Sequence, residues 1–442
     1  MKKLFRILGI SAATSFIVAA GFLFFDFSQN QDRFPPRTYV GQINVSGLKR
    51  AEALAKISSY SVSDAFTPII TFEVENLYYR LSPEAVGIRI NYDESINQAF
   101  DKTHNSNYLK ELKNRLTTGL VHCPLILNVD ETVLTGIVAA IAQQVRSTSR
   151  DATITLYERS GGYHVEQEEL GREINVESAV NTFKEKIKNG ATTFQIIVTY
   201  EKPKITEKDL RTSPPINLLA SYTTYYGKHD SPNRIHNIRL IASWLDGMVL
   251  MPNDKVSLAD SIGDFTPERG FKEAYVIYNG ALVPQLGGGT CQIGTTLYNA
   301  LAAADIKINA RQNHSFYFNI YPLGRDATVY PGQKDLVFQN DTGYPIMIKT
   351  TATNRRLSFR IYGTPSGKKI VFSYPSVYIL TESGYRPATV RQVLAADAPF
   401  RTTVVRTVYN KEGIKIKSEI IRSYYKLYGE KSNVPIIRPE SR

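Results

Sequence analysis

A cysteine follows three glycines in Gly287-Gly288-Gly289-Thr290-Cys291-Gln292, and a helical pattern begins at that cysteine. Ile293, Leu297, Leu301 and Ala304 recur at i, i+4, i+8 and i+11, which predicts one apolar face of an α-helix. Upstream, Ala274-Tyr275-Val276-Ile277-Tyr278 reads as a strand, rich in β-branched and aromatic residues. The expected order is strand, glycine loop, then cysteine in the first turn of a helix. The glycines supply positive φ and let another segment come close. Unpaired N–H groups and the positive end of the helix dipole favour an anion at that turn. A thiolate is an anion, so this placement lowers the thiol pKa and makes a better nucleophile. The alternative is a small buried residue capping a core helix.

A nucleophilic thiol needs a base. Of six histidines, His314 is the best placed, in Arg311-Gln312-Asn313-His314-Ser315, where the chain turns back from the Cys291 helix. It would take the Cys291 proton and later activate an acceptor amine. A satisfied structural histidine is the competing reading. Backbone N–H groups around Cys291 could form an oxyanion hole. Asp326, in Gly324-Arg325-Asp326-Ala327-Thr328-Val329, is a candidate orienter of His314, or simply a turn residue capped by its own side chain.

The elements that must position these groups can be read on either side. Residues 233–238 open a helix with Ile238, Ile241, Ala242 and Leu245 on one face, ended by Gly247, with Trp244 at a core edge. Pro252-Asn253-Asp254 is a turn before a strand through Val256 and Leu258. After the Cys291 helix the chain turns β-rich. Strands are expected at 315–321, 328–330, 336–338, 346–348 and 357–362, the last two in an antiparallel sheet, followed by a break at 365–375. Residues 402–409 and 414–425 about Asn410-Lys411-Glu412-Gly413 make a hairpin, and 429–442 a frayed end.

The N-terminal half repeats itself. Tyr79, Gly87, Ile90 and Asn91 recur as Tyr163, Gly171, Ile174 and Asn175 at one offset, each leading into a helical pattern, with helices also expected at 51–57 and 132–144. That is a duplicated α+β module. Glu166, Glu168 and Glu169 read as a solvated face. A glycan or peptide surface is the functional alternative.

The chain has 442 residues, room for two or three domains, and 53 Lys+Arg against 41 Asp+Glu, a net charge of +12. That balance permits anionic lipid or an anionic wall polymer. No arginine-rich arm or groove-reading helix is present, which argues against nucleic acid. Lys2, Lys3 and Arg6 precede an uncharged apolar run, residues 7–25, long enough to cross a bilayer. The charge bias puts the N-terminus inside and the bulk of the chain outside the cytoplasm. An uncleaved anchor is favoured over a cleaved signal, because cutting after Ala19-Ala20-Gly21 would leave Phe22-Leu23-Phe24-Phe25 on the mature end. Only Cys123 and Cys291 occur, and Cys123, in an apolar strand-like run, reads as a structural thiol rather than a disulfide partner. The expected organisation is a cytoplasmic tip and anchor (1–26), a linker (27–38), the repeated module (39–204), a core domain (213–363) and a β-rich extension (364–442).

Four separated motifs carry a resemblance. Asn233-Arg234 with Asn237-Ile238, Gly287 to Gln292 with Thr295-Thr296-Leu297-Tyr298-Asn299-Ala300, His314-Ser315, and Gly324 to Val329 resemble the VanW domain of bacterial envelope proteins, in that family's order. The repeated region is similar to the peptidoglycan-binding module that often precedes such domains, and the C-terminal hairpin to the family's β extension. The resemblance implies L,D-transpeptidase-type chemistry through the motif cysteine: attack on a tetrapeptide stem, release of the terminal D-alanine, and transfer of the acyl group to an amine of a neighbouring stem. Cys291 is then the nucleophile, with His314 and Asp326 as candidate base and orienter. Gly288, Gly289, Thr290, Gln292, Thr295 and Arg234 are the candidates for the substrate-binding and oxyanion loop. Gly294 stands where many members have serine. The acyl bond supplies the energy, so no nucleotide, metal or other cofactor is expected. The fold class is α+β, and the partners are peptidoglycan stems and the membrane. A non-catalytic peptidoglycan-binding scaffold and a stem-trimming hydrolase are the competing functions.

Overall fold

A computed structural model describes residues 17–18, 20–62, 68–104, 113, 119–157, 161–227, 230–278 and 281–426. Most of the apolar run at 7–25, and the tail 429–442, lie outside the described residues. Residues 20–30 are helical. Among the described residues no helix is long and apolar enough to cross a membrane.

The chain is α+β and divides into two compact units, residues 1–149 with 170–202, and residues 150–169 with 203–442. In the first unit the repeat is visible as equivalent caps. Helix Tyr92–Thr103 starts at Asn91, whose side chain accepts from Glu94 N at 3.1 Å. Helix Val176–Lys188 starts at Asn175, which accepts from Ser178 N at 2.9 Å. An asparagine N-cap satisfies one of the orphan first-turn donors in each copy. Ile90 and Ile174, one residue earlier, are buried. Phe183 packs on Phe72 and Phe194, with ring centroids 5.5 and 4.2 Å apart. A second cluster joins Ile57, Ile96 and Cys123 to Phe34, which comes from the polar stretch after the apolar run. The repeat does not follow the division into units. The hairpin Thr153–Tyr157 and Gly162–Glu166, which carries Tyr163, belongs to the second unit, where Ile154 and Val165 pack with Ile205, Leu210, Met347 and Tyr362.

The second unit is built on an antiparallel sheet of Asn217–Tyr225, Arg356–Gly363, Ile346–Ala352 and Met248–Leu250, in that order. Helix Pro232–Leu245 starts with Ser231 as cap and Pro232 in its first turn, and buries Ile238, Ile241, Ala242 and Leu245 as the periodicity requires. Helix Thr290–Ala303 departs from the expected single apolar face. Every residue from Gln292 to Ala302 is buried. The sheet, the Pro232–Leu245 helix and strand Lys307–Ala310 all pack against it, so its threonines, Gly294 and alanines are interior residues. Cys291, half-buried, is the exception in that first turn.

Four local expectations are corrected. A second strand, Ala281–Leu286, pairs with Glu273–Tyr278 and is the one that enters the glycine loop; Asn279-Gly280 between them is a hairpin signal in the sequence. The strand at Val256 ends at Ser257, and Leu258 starts a short helix, Leu258–Ile262. Residues 315–321 and 328–330 form no strands; they make only the isolated bridges Phe316–Lys426 and Tyr330–Lys334. Phe318 and Tyr321 pack against His314, Tyr317 against Phe400 and Tyr425, and Tyr330 against Phe265, instead of alternating across a sheet. The break at 365–375 contains strand Lys369–Phe372. The expected C-terminal hairpin is present, Phe400–Tyr409 with Lys415–Tyr425, inside a five-stranded sheet.

Candidate active site

The glycine loop is shaped by close approach. A Cβ on Gly288 would sit 2.7 Å from Ala274 Cβ, and one on Gly289 would sit 2.7 Å from Ile238 Cγ1 and 3.1 Å from Arg234 O. Gly289, the helix N-cap, has φ of 110°, which a side chain would strain. Buried Asn237 holds the loop from the neighbouring helix: its amide donates to Gly288 O at 3.1 Å and Lys272 O at 2.8 Å, while its oxygen accepts from Lys272 N at 2.9 Å. Thr290 Oγ1 donates to Gly287 O at 2.6 Å. Cys291 is thereby fixed at the second residue of the helix, where amide N–H groups have no intrahelical acceptor.

A second segment is laid along the same helix. Thr295 Oγ1 donates to Ala327 O at 3.0 Å and accepts from Ala327 N at 2.9 Å, and Asn299 donates to Arg325 O at 2.8 Å. These bonds carry Asp326 and Val329 past Cys291. In its thiol form Sγ–H can donate to Val329 O at 3.7 Å.

Asp326 meets His314 twice. Its Oδ2 accepts from His314 N at 2.7 Å and from Nδ1 at 2.6 Å. Nδ1–H on aspartate leaves Nε2 for the sulfur. The imidazole is stacked on Tyr321, centroids 5.1 Å apart, and meets Phe318 edge-on at 5.2 Å. Both His314 and Asp326 are buried. The other carboxylate oxygen accepts from Tyr425 OH at 2.5 Å and lies 3.3 Å from Arg311 Nη2.

The charges follow from these contacts. Burial pushes the Cys291 thiol up, but the His314 imidazolium beside it, with help from the Arg234 guanidinium, brings it net below its usual value of 9.0. Burial opposes charge on His314, yet the Cys291 thiolate and the Asp326 carboxylate raise it to about 9. Burial also opposes the charge on Asp326, and its bonds from His314 and Tyr425 hold it below 3.8 all the same. The arrangement favours a thiolate–imidazolium pair at neutral pH.

The three residues singled out as nucleophile, base and orienter are thus in contact. The six loop residues divide. Gly288 and Gly289 shape the turn into the helix. Thr290, Gln292 and Thr295 are buried, with their side chains engaged inside the protein; Gln292 donates to Thr224 Oγ1 at 3.0 Å and Tyr225 O at 3.2 Å. They hold the site's shape. Arg234 is paired with Asp230 at 2.9 Å, and its charge reaches Cys291. Sequence reasoning did not find Tyr425, Arg311, Phe318 or Tyr321 as neighbours of the pair. Arg311 stands three residues before His314, but Tyr425 lies 99 residues beyond Asp326 with no motif to join them.

Residues 233–362, which contain all three residues of the thiol–imidazole–carboxylate line, match the family model described as "VanW like protein". The chain carries a VanW-like domain. Residues 79–195 match the family model "Putative peptidoglycan binding domain". "Uncharacterized protein YoaR" of Bacillus subtilis is 36% identical over 146 residues, covering 33% of the VanW-like protein and 48% of that relative, about half its length. "Vancomycin B-type resistance protein VanW" of Enterococcus faecalis is 24% identical over 186 residues, 40% of this chain and 68% of that one. No solved structure matches.

Proposed function

We propose that this VanW-like protein is a cysteine acyltransferase of peptidoglycan stem peptides, of the L,D-transpeptidase type. The observation that carries it is the His314 Nδ1–Asp326 Oδ2 bond at 2.6 Å on the far side of an imidazole paired with the Cys291 thiol. A base oriented by a carboxylate and a nucleophile in a helix's first turn are the parts that acyl transfer through a thioester needs.

In the proposed reaction Sγ attacks the carbonyl carbon preceding the terminal D-alanine. The carbonyl oxygen becomes anionic and is met by the Cys291 N–H, since Thr290 N and Gln292 N already donate to Gly287 O and Gly289 O. As the C–N bond breaks, the imidazolium gives its proton to the departing amine, leaving a thioester. An amine of a second stem then attacks that carbonyl, His314 takes its proton, and the sulfur leaves as thiolate. Tyr321 stacked on the imidazole and Phe318 meeting it edge-on reduce access of water, which would otherwise compete with the amine.

The peptidoglycan-binding match favours a second reading, a wall-binding protein whose thiol pair is structural. Mass spectrometry of Cys291 after exposure to a tetrapeptide stem separates the two. The acyltransferase gives an adduct at Cys291 with release of D-alanine, absent from Cys291→Ala. An unmodified thiol and unchanged muropeptides leave the binding role.

A further inference from the structure

Strand Phe400–Tyr409 runs through the middle of the C-terminal sheet, with Lys415–Tyr425 on one side and Lys369–Phe372 and Ser376–Thr381 on the other. Its residues alternate strictly between buried and half-buried, so every second one, from Arg401 to Tyr409, faces outward. Cross-strand register extends that outward face. Tyr378 and Tyr424 stand opposite Arg401, Arg422 stands opposite Thr403, and Lys369 and Lys415 stand opposite Tyr409. No outward position of these four strands is Asp or Glu; Glu419 lies opposite Arg406 on the other face and pairs with it at 2.8 Å. Residues 364–426 hold eleven Lys and Arg against four Asp and Glu, so +7 of the chain's +12 is concentrated in this sheet and its turns.

Arg401 is fixed but has no counter-charge. Its guanidinium carbon lies 4.9 Å from the ring centroid of Tyr378 and 4.7 Å from that of Tyr385, and Tyr385 meets Tyr424 at 6.5 Å. The rings hold the cation from its sides and supply no anion. Its Nε is buried without a hydrogen-bond partner. Among the described residues Arg401, Arg422, Lys369 and Lys415 make no ion pair. Successive outward rows are about 7 Å apart, and the Lys369–Tyr409–Lys415 row lies about 26 Å along the strand from Arg401.

We infer that this outward face is a binding site for an extended linear polyanion, a phosphodiester-linked polymer of sugar or polyol units. Its phosphates meet Arg401 and Arg422 at one end and Lys369 and Lys415 at the other, a span that a chain covers and a small anion does not. Its neutral units lie on the tyrosine rings and on the hydroxyls between them. A lipid surface fits less well, because it favours an apolar face that enters the headgroups. Here Ile420 and Val371 are interleaved with Ser418, Thr403 and Thr407 in one sheet. The inference does not depend on the chemistry at Cys291.

The test is a titration of the full chain, held in neutral detergent, with fluorescently labelled poly(glycerol phosphate). Anisotropy is read between about 50 and 200 mM salt, where each phosphate contact accounts for about a threefold loss of affinity. Arg422→Gln and Lys369→Gln, both at exposed positions, are each expected to weaken binding severalfold at low salt and to remove about one such threefold step. Arg401→Gln should do the same, and the two exposed variants decide the matter if it does not fold. Lys307→Gln, exposed on a strand outside this sheet, is the control and should alter neither reading. No binding of the polymer overturns the site. So do Arg422→Gln and Lys369→Gln variants that behave like the control, or a control that loses as much as they do. Vesicles containing phosphatidylglycerol form the second arm. Variants that lose vesicle binding while keeping polymer binding also overturn it, in favour of a lipid surface.

Discussion

Tyr425 donates its hydroxyl to Asp326 Oδ1 at 2.5 Å, so the last described strand closes on the carboxylate that holds His314. The same hydroxyl accepts from Gly324 N at 3.1 Å, and Arg311 bridges Asp326 to Ser423 Oγ at 2.9 Å. Tyr425→Phe keeps the ring against Phe400, 5.0 Å away, and removes only the bonds. A hydrogen bond to a charged group contributes about 1.5–3 kcal/mol. A loss of that size is expected in denaturant unfolding, with several-fold slower alkylation of Cys291 at neutral pH. Tyr424→Phe, on the exposed face of the same strand, is the control and should alter neither. Equal behaviour of the two variants would remove the C-terminal strand from the site.

Asp326→Asn separates charge from shape. His314 is raised to about 9 partly by this carboxylate, so in the variant its proton should leave at lower pH. The alkylation profile with iodoacetamide reads this directly. The native protein should retain substantial reactivity at neutral pH, where a thiol of pKa 9.0 is about one per cent ionised, with a second rise through about 9 as the imidazolium discharges. That second rise should shift downward in the variant. Stability gives the complementary sign. Asp326 is depressed below 3.8 in the fold, so its contribution is present above 3.8 and lost as pH falls through the lower folded value. The stability difference between native protein and variant should therefore shrink in acid. A difference that does not change with pH would mean the carboxylate is not charged in the fold.

The two cysteines should behave as opposites. Cys123 is buried, and that burial pushes its thiol up, whereas Cys291 is half-buried and pulled down. Brief alkylation of the native protein near neutral pH, mapped by mass spectrometry, is expected to label Cys291 and to reach Cys123 only after unfolding. Early labelling of Cys123 would contradict the burial.

Gly294 has no room for a side chain. A Cβ there would sit 2.6 Å from Val329 Cγ2. Gly294→Ser should cost about 1–3 kcal/mol through overpacking and displace the segment whose carbonyl meets Cys291 Sγ. Thermal unfolding together with the alkylation rate tests it. A fully stable, fully reactive variant would show that Val329 yields freely.

Much of the site was legible where the controlling contacts are local. Three glycines before Thr290-Cys291 read as a turn into a helix because positive φ and close approach are properties of single residues. The recurrence of Asn91 and Asn175 ahead of two helical patterns, and the helix opened by residues 233–238, were legible from spacing within a few residues. Segments whose conformation is set by distant neighbours were not. Residues 315–321 alternate like a strand, but Phe318 and Tyr321 find a better surface on His314 than on a partner strand. The Cys291 helix has one apolar stripe in sequence, yet Thr295 and Asn299 are buried because the Asp326 segment supplies their hydrogen bonds.

By itself the sequence determined the repeated α+β module, the glycine-bounded cysteine and the histidine and aspartate that could serve it, all through backbone freedom, capping and periodicity within a few residues. Only the tertiary structure decided that the three groups meet, that Tyr425 and Arg311 hold the aspartate from behind, and that Arg234 lies close enough to bias the sulfur. The reason is physical: a hydrogen bond 2.5 Å long between residues 99 positions apart depends on how sheet and helix pack, and packing is a property of the whole unit.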